Sequence, residues 1–281
     1  VNYRKRFAVE PGSKLRLADI DPSFTANHVD EAGARESIAK DCDRLTHLQE
    51  KLYAESRRSV LIVLQAPDAG GKDGTVSHVF GALNPQGAVV HPFKVPSAEE
   101  AAHDFLWRAH KAAPALGQIA IFNRSHYEDV LVTRVHGDVD DDLARKRFDR
   151  IVEFEKNLSQ AGTRILKFFL HISPDEQLRR FEQRLEDPKR WWKLSESDYT
   201  EREHWDEYVA AYEDALEHTS TSRAPWYVIP ANHKWFRNLA VARIVADTLD
   251  EMDLQLPKPQ VDVERIRERY HAAAARAAAG A

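Results

Sequence analysis

The stretch "VLIVLQAPDAGGKDGTV", residues 60–76, decides how the rest of the chain is read. Its first part is an apolar run from Val60 to Leu64, the pattern of a buried strand. Gly70, Gly71 and Lys72 follow, and "GTVSHVFGAL" from Gly74 has helical character. Strand, glycine bend, lysine and helix in that order make a cradle in which backbone N–H groups receive phosphate. The P-loop pattern is met in part, because Ala66 stands at its first glycine and Asp73 at its hydroxyl position. The plain alternative is a tight βα turn with a helix-capping aspartate and a solvated lysine. Asp68 and Asp73 flank Lys72, which raises the question of why a loop for anions carries negative charge of its own.

Four more short segments resemble the first: "AVVHPF" from Ala88, "QIAIFN" from Gln118, "ILKFFLH" from Ile165 and "WYVIP" from Trp226. Helical spacing fills the intervals, so strand and helix alternate. That order predicts an α/β fold with a parallel sheet of about five strands and helices on both faces. Ligands in such sheets sit beyond the carboxyl ends of the strands, where the glycine bend and the residues after "QIAIFN" both emerge. A helix is expected from about Val29 to Ser56 with Leu45, Leu48, Leu52 and Tyr53 on one face. A second follows the last strand, with Trp235, Leu239, Ala242, Val245 and Leu249 in register. The chain divides into an N-terminal helical extension (1–57), a catalytic domain (58–255) and a C-terminal helix or tail (256–281), whose "HAAAARAAAGA" carries no assignable chemistry.

With 281 residues and 43% hydrophobic composition, the chain can bury one sizeable core. A formal charge of −5 gives no global basic field, so neither nucleic acid nor a membrane surface is an expected partner. Cys42 is the only cysteine, and the first residues lack the apolar core of a signal peptide; a soluble cytoplasmic protein is expected.

Two further segments carry chemistry. "IFNRSHYEDVLVTRVHG" from Ile121 leaves a strand with Asn123 and Arg124, then Glu128 and Arg134. A guanidinium at a strand's mouth suits phosphate oxygens, with a surface salt bridge as the duller reading; Asn123 could equally cap the next helix. His126 is read as a helix-start or packing residue. Between Arg179 and Lys193 six basic residues face three acidic ones, a local excess of three in an acidic protein. Arg180 and Arg184 lie one helical turn apart and Pro188 bends the chain before a second arm near Ser197. This reads as a hinged basic lid over about 174–200. The alternative is a solvated charged helix with Trp191 and Trp192 in the core.

On "APDAGGKDGT", "NPQG" with "FKVPSAEEAAHDFLWR", "FNRSHYEDVLVTRVH", and "RRFEQRLEDPKRWWKLSESD" with "HWDEYVAAYEDAL", the chain resembles the family-2 polyphosphate kinases. The resemblance runs from about Val60 to Leu216. It implies a P-loop kinase fold with a helical lid, Mg2+ (or Mn2+), inorganic polyphosphate and nucleotides as substrates, and a homo-oligomer, dimer or tetramer. Asn123 and the "YE" pair resemble the branch acting on nucleoside mono- or diphosphates.

By that resemblance Asp68 is the metal ligand, with Glu128 as a second candidate, and this answers the question of the acidic loop: crowded phosphates need a cation, and a carboxylate holds it. Lys72 and the loop from Ala69 through Gly70, Gly71, Asp73 and Gly74 to Thr75 are expected to cradle the phosphoryl group. Arg124, Arg134, Arg180, Arg184 and Lys193 are expected on phosphate oxygens, and Lys94 and Arg108 along the anion channel. Asp73 is alternatively a helix cap. Two other readings remain open: an ATP-dependent small-molecule or nucleotide kinase sharing cradle and lid, and a non-catalytic polyanion-binding protein. The residues that hold the nucleobase are not assigned.

Overall fold

The computed structural model describes residues 2–26, 28 and 30–279. Its five strands are β1 (Ser59–Gln65), β2 (Ala88–Pro92), β3 (Ile119–Asn123), β4 (Thr163–His171) and β5 (Trp226–Pro230). They form one sheet in the order β2-β3-β1-β4-β5, with every pair parallel. The expected strands are thus all present. β2 is one of the two edge strands, and Val89 and Val90 are exposed there; Pro92, which has no N–H to donate, is tolerated at its end.

Seven helices among the described residues have eight residues or more: α1 (Glu31–Glu55), α2 (Asp141–Gln160), α3 (Pro174–Glu186), α4 (Glu196–Glu203), α5 (Trp205–Thr219), α6 (Lys234–Glu251) and α7 (Val263–Ala279). Alternation along β1 sorts the core into two layers. Val60, Ile62 and Leu64 pack with Leu45, Leu48 and Leu52 of α1 and with Leu239, Ala242, Val245 and Leu249 of α6. Leu61 and Val63 pack on the other face with Phe148, Ile151 and Phe154 of α2 and with Tyr212 and Leu216 of α5.

Some expectations need correction. Tyr53 lies off the buried face of α1 and is 47% exposed. Helix α1 starts after Asp30, whose side chain caps Gly33 N; Val29, the expected start, lies outside the described residues, as do Gly280 and Ala281 of the tail. The tail's alanine-rich segment belongs to α7, which is exposed along its whole length. Trp191 and Trp192 are exposed rather than in the core. No described helix is long and apolar enough to cross a membrane.

Below the sheet's functional end, on the α2 and α5 side, lies a buried polar cluster. Lys167 Nζ donates to Glu155 Oε2 (2.6 Å), Tyr127 Oη (3.0 Å) and the Thr219 carbonyl (2.7 Å), and Tyr127 Oη donates to Glu155 Oε1 (2.8 Å). It pins the turn after β3, since Tyr127 directly precedes Glu128. His126 is fully buried beside it, 3.6 Å from Glu155.

Candidate active site

An open cleft of ≈ 1460 Å³ lies beyond the carboxyl ends of β1 and β3. Its floor is the loop after β1. Ala69 (φ 58°) and Gly71 (φ 104°) take left-handed backbone conformations there, a geometry that glycine adopts without steric cost. Ala66 fits the first position because the turn does not demand glycine: its side chain is buried in the core, and a methyl at Gly70 would meet it at 2.5 Å. The close approach therefore falls on Gly70. The chain then enters the helical turn Lys72–Thr75.

Asp68, Ala69, Gly70, Gly71, Lys72, Asp73, Gly74, Lys94, Asn123, Arg124, Arg180, Arg184 and Lys193 all line this cleft. Lys72 Nζ folds back to the Ala66 carbonyl at 2.7 Å. Burial, followed by the charge of Arg124, draws its pKa below the ordinary lysine value against the pull of Asp68, Glu128 and Asp73. Arg124 sits just past β3 with φ 61°, a left-handed conformation that costs a non-glycine residue roughly 1–3 kcal/mol. The turn aims its guanidinium back across the loop, where Nη2 donates to Asp68 Oδ1 at 2.8 Å. Asn123 does not cap a helix; its amide donates to Asp73 Oδ1 at 2.8 Å, and Ser125 does the capping. Asp73 does not cap its helix either. Burial would raise its pKa, but the Asn123 hydrogen bond and Lys193, 3.4 Å away, hold it below the usual value.

Four expected residues do not line the cleft, and each meets a partner elsewhere. Arg108 turns inward, donating to the Lys94 carbonyl (2.8 Å) and Asp129 (3.3 Å), with its guanidinium over the Phe93 ring. Arg134 is held between Asp141 (2.8 Å) and Asp214 (2.7 Å). Both were expected on phosphate; carboxylates within reach compete for them instead. Thr75 is buried and its hydroxyl donates to the Gly71 carbonyl at 3.2 Å. Glu128 lies behind Arg124, 3.7 Å from Nη1, and burial raises its pKa against the attraction of Arg124 and Lys72.

Arg180 is in the cleft wall but is not a free lid arginine. Nε donates to Glu176 (2.6 Å), Nη1 to the carbonyls of Ala69 (2.8 Å) and Gly70 (3.0 Å), and Nη2 to those of Ala231 and Asn232. All five N–H groups are used, so it clamps the glycine bend from behind. Arg184, one turn on, pairs with Asp198 of α4 at 2.9 Å and ties the two arms of the lid together. Between the arms, Pro188–Lys193 forms a 3-10 turn.

A buried cleft residue absent from the sequence reading is Arg237, on α6. It is 2% exposed, reaches the cleft and lies against Gly71 and Gly74. Its only signal in the sequence is an Arg-Asn pair within the otherwise apolar "WFRNLAVA", at a position that α6 turns toward the loop.

Among the described residues no three His, Cys, Asp or Glu side chains form a ready cage for a metal. The donor set still fits Mg2+, which keeps several waters and uses one or two carboxylates together with substrate phosphates. Asp68 has one carboxylate oxygen engaged by Arg124 and the other without a hydrogen-bond partner among the described residues, and Asp73 is exposed on the same floor.

The chain is similar to known proteins over most of its length. The family model "Polyphosphate kinase 2 (PPK2)" matches residues 28–257. An AMP/ADP-polyphosphate phosphotransferase from Meiothermus ruber is 48% identical, over 93% of this chain and 98% of its own. An ADP-polyphosphate phosphotransferase from Rhodopseudomonas palustris is 41% identical, over 90% and 92%. The crystal structure of a polyphosphate kinase 2 from Arthrobacter aurescens TC1 superposes with a TM-score of 0.93 at 43% identity, covering 97% of each chain.

Proposed function

The chain belongs to the polyphosphate kinase 2 family, and we propose that it transfers a phosphoryl group between inorganic polyphosphate and a nucleoside mono- or diphosphate, reversibly and with Mg2+ or Mn2+. The observation that carries this reading is one cleft in which the glycine bend, Lys72 and Arg124 converge beside the carboxylates of Asp68 and Asp73. Two polyanions must meet there, and cationic side chains alone leave no reason for two acids on the floor. Asp68 would hold the metal, with Asp73 reaching it through water and Glu128 as the more remote candidate; when bound, Mg2+ screens the repulsion between the phosphates.

The chain's own groups do the rest. Loop N–H groups and Lys72 orient the phosphoryl group, and Lys72 leaves the Ala66 carbonyl to do so. Arg124, fixed by Asp68, bears on the equatorial oxygens where charge accumulates. Arg184, Lys193 and Lys94 supply positive charge along the walls, and the lid excludes water. A nucleotide's terminal phosphate, with a second pKa of about 6, is already largely ionised and needs no general base. That fits His126 being buried rather than in the cleft. The proposal includes a homo-oligomer, which light scattering tests.

Phosphorus NMR of mixtures holding polyphosphate, Mg2+ and, separately, AMP, ADP, GMP, GDP and CDP tests donor and acceptor together. Nucleoside di- or triphosphate formed at the expense of polyphosphate is expected. Product formation with ATP alone as donor would replace this reading with the ATP-dependent kinase, and binding without any product would leave a polyanion-binding protein.

A further inference from the structure

We propose that Arg237 is a substrate-contacting residue: the end edge of its buried guanidinium receives oxygens of the oligophosphate chain seated in the glycine bend. The inference rests on the phosphotransfer reading above and names a contact that the loop motif does not contain.

Asn238 Oδ1 accepts from both Nε (3.1 Å) and Nη2 (2.8 Å) of Arg237, which occupies one side of the guanidinium plane. The opposite edge, Nη1 with the second N–H of Nη2, faces the bend. A methyl at Gly71 would lie 1.9 Å from Nη1, and one at Gly74 would lie 3.1 Å from Nη2. Gly71 is therefore required twice, by its positive φ and by the guanidinium pressed against it. The two N–H donors on that edge have no partner among the described residues, and Arg237 lines the cleft.

No carboxylate of the described residues pairs with this charge; the only charged group close enough to matter is a like one, Arg180. Burial and then Arg180 lower the pKa to about 9. An unpaired buried charge is among the more costly things a fold can hold, so a ligand that neutralises it gains what the free protein lacks. A planar pair of N–H donors matches two phosphate oxygens.

The chain of phosphates is favoured over the nucleotide by the charge on the surrounding wall. Lys234, one turn earlier on α6, also lines the cleft, and its Nζ has Gln183 Oε1 at 3.4 Å as its hydrogen-bond partner and no carboxylate. The acids Asp68 and Asp73 stand on the loop side. A repeating anion without a base matches the cationic α6 wall, whereas a metal-bearing phosphate matches the acids.

The test is calorimetric titration of the full chain with inorganic tripolyphosphate and, in a separate arm, with ADP. Arg237→Gln should weaken tripolyphosphate about tenfold or more while ADP changes by less than about threefold. Asn238→Asp supplies the missing carboxylate inside the fold, so its ligand-free Tm should rise and its tripolyphosphate affinity fall. Folded Arg237→Gln that binds tripolyphosphate like the wild type overturns the proposal, as does loss confined to ADP. If Arg237→Gln does not fold, Asn238→Asp decides: affinity equal to the wild type's overturns it. A wild type that binds tripolyphosphate but forms no nucleotide product refutes the phosphotransfer reading and leaves the Arg237 contact to be judged on binding alone.

Discussion

The side-chain amide of Asn123, the last residue of β3, donates to Asp73 Oδ1 at 2.8 Å and ties the strand end to the first turn after the glycine bend. Asp73 is held below the usual carboxylate pKa, burial being outweighed by this bond and by Lys193. A depressed carboxyl stabilises the fold fully above its unfolded pKa of about 3.9 and loses that contribution as pH falls through the lower folded value. Asn123→Ala should therefore melt about 1–3 °C below the wild type at pH 6, a small gap because Asp73 is largely exposed. Melts taken at descending pH should show the two proteins converging below pH ~4; a gap independent of pH would show that the bond does not act through the carboxylate's charge.

Lys72→Ala and Asp68→Asn should each reduce kcat by about 10²–10³ with the Tm within a few degrees of wild type, since both act on the transferring group or its metal. Asp68→Asn should also need a higher Mg2+ concentration for half-maximal rate. Rates of either variant close to wild type would remove these residues from the site.

Arg180 and Arg184 should separate. Arg180→Ala takes the donor from four backbone carbonyls and leaves Glu176 to Arg179 alone, so it should lose about 3–5 kcal/mol of stability together with activity. Arg184→Ala opens a partly exposed pair with Asp198 and should leave urea unfolding nearly unchanged while raising KM or lowering kcat. Equal stability losses in the two variants would contradict the clamp.

Lys167→Met leaves Glu155 and Tyr127 facing each other in the core without their cation. Urea denaturation should show a loss of about 3–5 kcal/mol, and Lys167→Met with Glu155→Gln should recover part of it, because the second change removes the stranded charge. An undiminished loss in the double variant would mean that packing, and not charge, sets the cost.

How far the sequence could be read varies with the range of the interaction. β1 and the glycine bend are written in consecutive residues, by apolar runs and by glycines that the backbone requires. The exceptions are local too: Tyr53 lies beside the face that Leu45, Leu48 and Leu52 bury, and the tryptophans at 191 and 192 fall in a 3-10 turn with no buried residue.

The alternation of strand and helix, the cradle, the acids beside Lys72 and the basic hinged segment follow from the order of residue types alone, because periodicity and turn chemistry act over a few positions. The partners of the long cationic side chains do not. Arg108 and Arg134 found carboxylates, Arg180 found the carbonyls of the bend, and Arg237 came to lie beneath Gly71 with no carboxylate of the described residues paired to it. A guanidinium can reach in many directions, and which oxygen it meets depends on how α2, α3, α5 and α6 pack around the sheet, which no short stretch of the chain encodes.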